Sequence, residues 1–275
     1  MNSPLLSLLR TNPEIVKSIM TSLLDDVEKS FDNKSAEEAS PLALTWASIS
    51  TEFSAFVRSN PDLWNTIWLH WPTRTIKAYS KLSRPLTLNI RLDTQKISHI
   101  ARQHKRQWAP FLHKRLINDR VGTMKFSIDN NHAMTPALAR VLNTPCITIT
   151  SFTLILGKNV RVVNQLFSAY APRLNTLRVD SPVPYKLQAF YKSLQHLELH
   201  LGKSNSSTIY LSDVLSDMKQ LKTLILVGSP ELATIPVPRR APHSLHLPAL
   251  EILLIKDMSE KRGALYSKYI RSPAL

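Results

Sequence analysis

One short pattern constrains this chain more than any other feature. Leu174-x-x-Leu177-x-Val179, Leu194-x-x-Leu197-x-Leu199, Leu221-x-x-Leu224-x-Leu226 and Leu250-x-x-Leu253-x-Ile255 are near copies of one another, with starts 20, 27 and 29 residues apart. Each copy is too short to bury its leucines alone. Stacked side by side as short strands with the leucines turned inward, the copies share one core, and that is the logic of a leucine-rich repeat array. The asparagine that often follows this core is absent, and an ordinary α/β domain with leucine-rich strands stays open beside the array.

Upstream the same two-residue alternation recurs in weaker form, at Leu86-x-Leu88-x-Ile90, Met124-x-Phe126-x-Ile128 and the run from Ile147 to Leu156. Between the first two lies a basic stretch, residues 97–120, with Arg102, Lys105, Arg106, Lys114, Arg115 and Arg120 interleaved with His99, His104, Trp108 and His113. It reads as helix. Its charge suits either the solvated outer face of a repeat helix or a contact with nucleic-acid phosphates, Trp108 then stacking on a base.

The first seventy residues carry a different period. Asn12-Pro13-Glu14 is a helix start, and Ile15, Ile19 and Leu23 follow at helical spacing, predicting a helix over 13–24. Asp25, Asp26, Glu28, Asp32, Glu37 and Glu38 then mark an acidic linker over about 25–40. Ser40-Pro41 opens a second helix to Arg58 through Trp46, Ile49, Phe53, Phe56 and Val57, and Asn60-Pro61 opens a third, short piece with Leu63, Trp64, Ile67 and Trp68 before Pro72. So large an apolar payload on so small a bundle suits a core shared with a partner, or packing against the rest of the chain.

Charge follows the same division. The net charge is +15, yet residues 1–60 hold five Lys/Arg against eight Asp/Glu, leaving thirty against twelve for the remainder. The basic remainder favours acidic partners in general without choosing one.

These elements resemble a known family. Asn12-Pro13-Glu14-Ile15 and Asn60-Pro61-Asp62-Leu63-Trp64 are similar to the F-box motif in its divergent form from mushroom-type (basidiomycete) fungi, an early Pro-Glu-Ile helix followed by a helix ending in Pro-x-Leu-Trp. Ile49-Ser50-Thr51-Glu52-Phe53 occupies the place of the family's Val-Cys-x-x-Trp, with Ser50 for Cys and Phe53 for Trp, and the flanking arginines are missing. Arg84-Pro85-Leu86-Thr87-Leu88 looks like the leader that in this family joins the F-box to leucine-rich repeats.

The resemblance implies an α+β to α/β chain: a small N-terminal three-helix F-box-like module over 1–72, then an irregular leucine-rich-repeat solenoid over 73–275. It also implies a substrate-recognition subunit of a ubiquitin ligase. The module would dock a Skp-type adaptor through Pro13, Ile15, Ile19, Leu23, Ile49, Phe53, Phe56, Leu63 and Trp64, and the adaptor would hang from a cullin scaffold. The repeats would hold an unknown protein target. A basic repeat protein binding nucleic acid or another polyanion is the alternative.

Catalytic signatures are few. Five glycines form no phosphate-binding loop, and the lone Cys146 has no second thiol for a disulfide or a zinc pair, so it reads as a buried small hydrophobe and no cofactor is expected. Strand alternation puts His196, Glu198 and His200 on one face, ligand types that suit a metal but more simply the solvent side of a repeat strand. With Arg178, Ile225, Val227, Ile252 and Leu254 they make the expected target-binding face of a protein that is not an enzyme. The apolar end of that face marks an interface, or the place of a missing neighbour or covering segment.

No apolar run is long enough to span a membrane, and the start lacks a basic leader, so the cytoplasm or nucleus is expected. Ser272-Pro273-Ala274-Leu275 echoes Leu247-Pro248-Ala249-Leu250, as in an array cut short at its C-terminus.

Overall fold

The computed structural model describes residues 4–31, 41–94, 111–114, 120–128, 140–157, 166–167, 170–180, 191–201, 208–229 and 244–274. The chain divides into two compact units, Met1–Trp108 and Ala109–Leu275. The basic stretch read as a helix over 97–120, including Lys105, Arg106 and Trp108, lies mostly outside the described residues.

The first unit opens with α1 (Pro4–Thr11) and α2 (Pro13–Phe31). Asn12 separates them. Pro13 has no N–H to continue α1, and the Asn12 carbonyl instead accepts from Ile15 at 3.1 Å and Val16 at 3.3 Å, which starts the next helix. α2 runs on through Asp25 and Asp26, into the stretch expected as linker, and residues 32–40 lie outside the described residues.

The helix predicted from Ser40 to Arg58 is two helices, α3 (Leu42–Ala47) and α4 (Thr51–Ser59). The break has a local cause. Ser50 takes up extended backbone, and its Oγ accepts the Phe53 N–H at 3.1 Å, which caps α4 and excludes continuity with α3. The predicted third helical piece is a 3-10 turn, Pro61–Trp64, that gives way at once to a strand, β1 (Thr66–Trp68).

From β1 the chain passes through α5 (Thr73–Leu82) to β2 (Leu88–Asp93), which lies parallel to β1 with Ile67 beside Ile90. A helix crossover between two parallel strands is the connection such a pair requires. The core of this unit is aromatic. The Trp64 indole N–H donates to the Val57 carbonyl at 2.8 Å, and its ring meets Tyr79 edge-on at 4.9 Å. Trp71 packs on the same tyrosine at 4.7 Å, and the Tyr79 hydroxyl oxygen accepts the Ala43 N–H at 3.1 Å, which ties α5 to α3.

Among the described residues the second unit holds six parallel strands in the order β3 (Val121–Ile128), β4 (Ser151–Leu156), β5 (Thr176–Asp180), β6 (His196–Leu201), β7 (Thr223–Gly228) and β9 (Ile252–Lys256). A side pair, β8 (Leu245–His246) with β10 (Ile270–Arg271), is also parallel. The repeat pattern maps onto this sheet. Leu174, Leu194, Leu221 and Leu250 are buried just before their strands, and the following Leu177/Val179, Leu197/Leu199 and Leu224/Leu226 pairs form the buried side of the sheet.

A repeated backbone device sets the register. The Thr150 carbonyl accepts from Asn175 and Thr176, that of Asn175 from Gln195 and His196, that of Gln195 from Lys222 and Thr223, and that of Lys222 from Glu251 and Ile252. At the end of β7, Gly228 lets the turn at Asp257 pass close by, since a Cβ there would collide with the Asp257 carbonyl.

The expected fold is therefore corrected: a three-helix module followed by a leucine-rich-repeat solenoid is not what forms. The chain is α/β, with parallel strands and helices interleaved. Among the described residues of the first 72 there are four α-helices rather than three, and β1 within them pairs with β2 beyond Pro72, so the stretch is not a purely helical module. The described parts of the connections between the strands differ from one another. Here the return from β5 to β6 includes a three-residue 3-10 turn (Tyr191–Ser193), that from β6 to β7 includes α6 (Thr208–Leu215), and β8 precedes β9. After β9 comes α7 (Glu260–Tyr269). The leucine pattern specifies the strands and their inner face, and it says little about what joins them.

Candidate partner-binding surfaces

In the first unit, α2 has two unlike faces. Val16 and Met20 are buried, while Ile15, Ile19 and Leu23 are exposed at 50%, 48% and 47%. Residues four apart lie one above another on a helix, so these three form a single aliphatic row about 12 Å long. Pro13 is exposed at the head of the helix, and Ile49, in the break between α3 and α4, is exposed at 54%. Two ion pairs fix the frame. Lys17 Nζ on α2 meets Asp62 Oδ2 in the 3-10 turn at 3.1 Å, and Arg10 on α1 pairs with Glu52 on α4.

The other residues expected at the adaptor contact lie inside. Phe53, Leu63 and Trp64 are buried and Phe56 is half-buried, its ring 6.2 Å from that of Phe53. The aromatic payload that suggested a shared core is absorbed by the unit itself, through Tyr79 and Trp71. Tyr79 lies in a helix that the sequence reading passed over: only Ile76, Tyr79 and the small Ser80 are buried on α5, too weak a stripe to read among its basic residues.

In the second unit, the side of the sheet opposite the leucines brings the expected target-binding residues together. Register places Arg178 beside Glu198, Glu198 beside Ile225 and Ile225 beside Leu254 in one row across the strands. The flanking rows run Thr176, His196, Thr223, Ile252 and Asp180, His200, Val227, Lys256. The rows continue onto β4 and β3 as Thr153 and Lys125 in the middle, with Ile155 and Ser127 on one side. Those last four residues were missed, although the alternation of Met124, Phe126 and Ile128 marks the positions between them as outward.

The charged part of this face is engaged with itself. Glu198 Oε1 lies 2.8 Å from His200 Nε2 and 3.2 Å from Arg178 Nε, whose N–H is not aimed well enough for a hydrogen bond. His200 Nδ1 is 3.3 Å from Asp180 Oδ2, so a carboxylate receives the ring proton whichever nitrogen carries it. His196 stands exposed at the strand start, apart from this chain of contacts. Among the described residues no group of three or more His, Cys, Asp or Glu is placed to hold a metal ion.

The aliphatic part is graded. Val227 is buried and Ile225 half-buried, whereas Ile252 and Leu254 on β9 are exposed at 47% and 41%. The open end of the face is thus the β9 end, and the side chains of Asp180, His200, Glu198 and Arg178 beside it are engaged with one another.

No family model, curated protein or solved structure matches the chain. Among the described residues no helix is long and apolar enough to cross a membrane.

Proposed function

We propose that this chain is a substrate-recognition subunit of a Skp-cullin-F-box type ubiquitin ligase, acting in the cytoplasm or nucleus without chemistry of its own. α2 docks the Skp-type adaptor through Ile15, Ile19 and Leu23, with Ile49 and Pro13 at the margin, and the adaptor connects the chain to a cullin scaffold. The sheet face ending at Ile252 and Leu254 holds the protein target. Such a subunit contributes geometry, keeping a target near a charged conjugating enzyme.

The observation that carries this reading is the aliphatic row on α2. Three aligned side chains, each half in water on a helix whose opposite face is already packed, gain about 1 kcal/mol apiece on being covered, and a helix face of this kind is a common recognition element. Phe53, Leu63 and Trp64 are buried within the unit. They make no surface, so Leu63 and Trp64 are poor targets for a binding test.

The test is calorimetric titration of the full chain with the Skp-type adaptor of the same organism, comparing wild type with Ile15→Ser/Ile19→Ser/Leu23→Ser. Expected is binding by the wild type and at least a hundredfold loss in the variant, with the circular dichroism melt unchanged to within about 3 °C. Equal affinity of the two proteins, or no binding by folded wild type, refutes the reading.

A further inference from the structure

α5 carries Arg74, Lys77 and Lys81, and Arg84 follows two residues after it; all four are exposed. At 100° per residue the directions of Arg74, Lys77 and Lys81 fall within an arc of about 60° along about 10 Å of α5, beside the buried stripe of Ile76, Tyr79 and Ser80, and Arg84 stands in the turn that follows. The helix holds no acidic residue. None of the four head groups has an ion-pair or hydrogen-bond partner among the described residues, and Glu52 and Asp62 of the same unit are engaged by Arg10 and Lys17 instead.

Three unneutralised cations on one helix face and a fourth in the turn after it hold a positive potential that a solvated helix gains nothing by keeping, since interspersed acidic side chains would relieve the mutual repulsion. The remaining side chains of the face narrow the partner. Ala78 and Thr75 lie to one side of the cations and are half-buried, and the one aromatic residue of the helix, Tyr79, is buried. The described residues of α5 thus present no exposed ring on which an unpaired base could stack. Residues 73–85 contain no Asn or Gln to read adenine.

We infer that the Arg74–Lys77–Lys81–Arg84 row is a binding site for the phosphate backbone of double-stranded nucleic acid, engaged without regard to sequence. It is separate from α2's aliphatic row and stands or falls independently of the ligase reading. Each phosphate neutralised releases counterion, so the row alone contributes about 3.6 to the slope of log K against log salt. That corresponds to roughly a hundredfold of affinity between 50 and 200 mM salt.

The experiment is fluorescence anisotropy of a labelled 20-base-pair DNA duplex of arbitrary sequence, titrated with the full chain from 50 to 200 mM salt. Arg74→Glu/Lys77→Glu/Lys81→Glu is the main variant, and Lys77→Gln/Lys81→Gln serves if the reversal disturbs folding by circular dichroism. Expected is binding that weakens at least tenfold in the triple variant with a salt slope smaller by about 3, or by about 2 in the double variant. Unchanged binding and slope in either folded variant places the contact on other basic residues and overturns the proposal. So does absence of binding at 50 mM salt. Poly-glutamate displacing the duplex at equal concentration of charge assigns the row to an acidic protein and overturns it as well.

Discussion

The two units are held together by different means. The first closes around three aromatic rings, two of them tied to the backbone by specific hydrogen bonds, Trp64 to the Val57 carbonyl and the Ala43 N–H to Tyr79. The second closes by repetition: the same leucine positions are buried strand after strand, and one carbonyl after another accepts the same two N–H groups. A core made of like layers spreads its stability over many equivalent contacts, whereas a cluster concentrates it in a few groups that nothing else duplicates. The contrast predicts that single substitutions should cost more in the first unit than in the second, and should act through packing rather than through a docking surface.

Trp64→Ala tests the strong side. Trp64 is completely buried and makes the ring contact with Tyr79 and the hydrogen bond to Val57, so its loss should cost about 4 kcal/mol, at the upper end for a large-to-small change. Urea unfolding followed by tryptophan fluorescence and circular dichroism should show the first unit melting early while the strand signal of the second persists. Adaptor binding would vanish along with the fold. A variant that stays fully folded yet loses binding would instead return Trp64 to the docking surface.

How much of this was readable follows from the same contrast. The strands of the second unit were legible because a leucine at every equivalent position is a signal that repeats, and the register of Arg178, Glu198, Ile225 and Leu254 follows from it. The first unit was legible as helices but not as a fold. Nothing in Thr66-Ile67-Trp68 alone announces a strand, since three residues pair only because β2, some twenty residues on, offers an edge. Trp64 read as a surface anchor for a related reason: its partner Tyr79 lies beyond the boundary set at Pro72. The aliphatic row of α2 was visible from spacing, although spacing alone could not say which of Ile15, Val16, Ile19 and Met20 face the core.

Leu199→Ala tests the distributed side. Leu199 is buried in β6 between Val179 and Leu226, and removing three carbons there should cost about 3 kcal/mol, somewhat less than the tryptophan because neighbouring layers close part of the cavity. Arg178, Glu198 and His200 should keep their contacts, because they lie on the other side of the strand. A thermal melt in which the whole chain loses structure in one step well below the wild-type temperature would show that the second unit depends on single residues as much as the first, and the contrast would fail.

Tyr79→Phe is the smallest change and the most specific. The ring stays, so the contacts with Trp64 and Trp71 persist, but the Ala43 N–H loses its acceptor, which should cost about 1.5 kcal/mol for a buried unsatisfied donor. The hydroxyl also has a signature in pH. Burial raises the Tyr79 pKa well above the ordinary tyrosine value, against the opposing pull of the backbone amides of Ala43 and Leu44, and burial raises that of Tyr266 in α7 despite Arg262 beside it. A raised tyrosine keeps its proton in the folded state while the unfolded chain gives it up near pH 10. The stabilisation is therefore complete below about pH 10 and is lost as pH rises above it. Melting temperature plotted from pH 8 to 11.5 should fall steeply in its upper part for the wild type and less steeply for Tyr79→Phe, with the remaining slope reporting Tyr266. Parallel curves would mean that Tyr79 ionises as easily folded as unfolded. The hydrogen-bonded aromatic cluster would then not be the dry centre that distinguishes the first unit from the second.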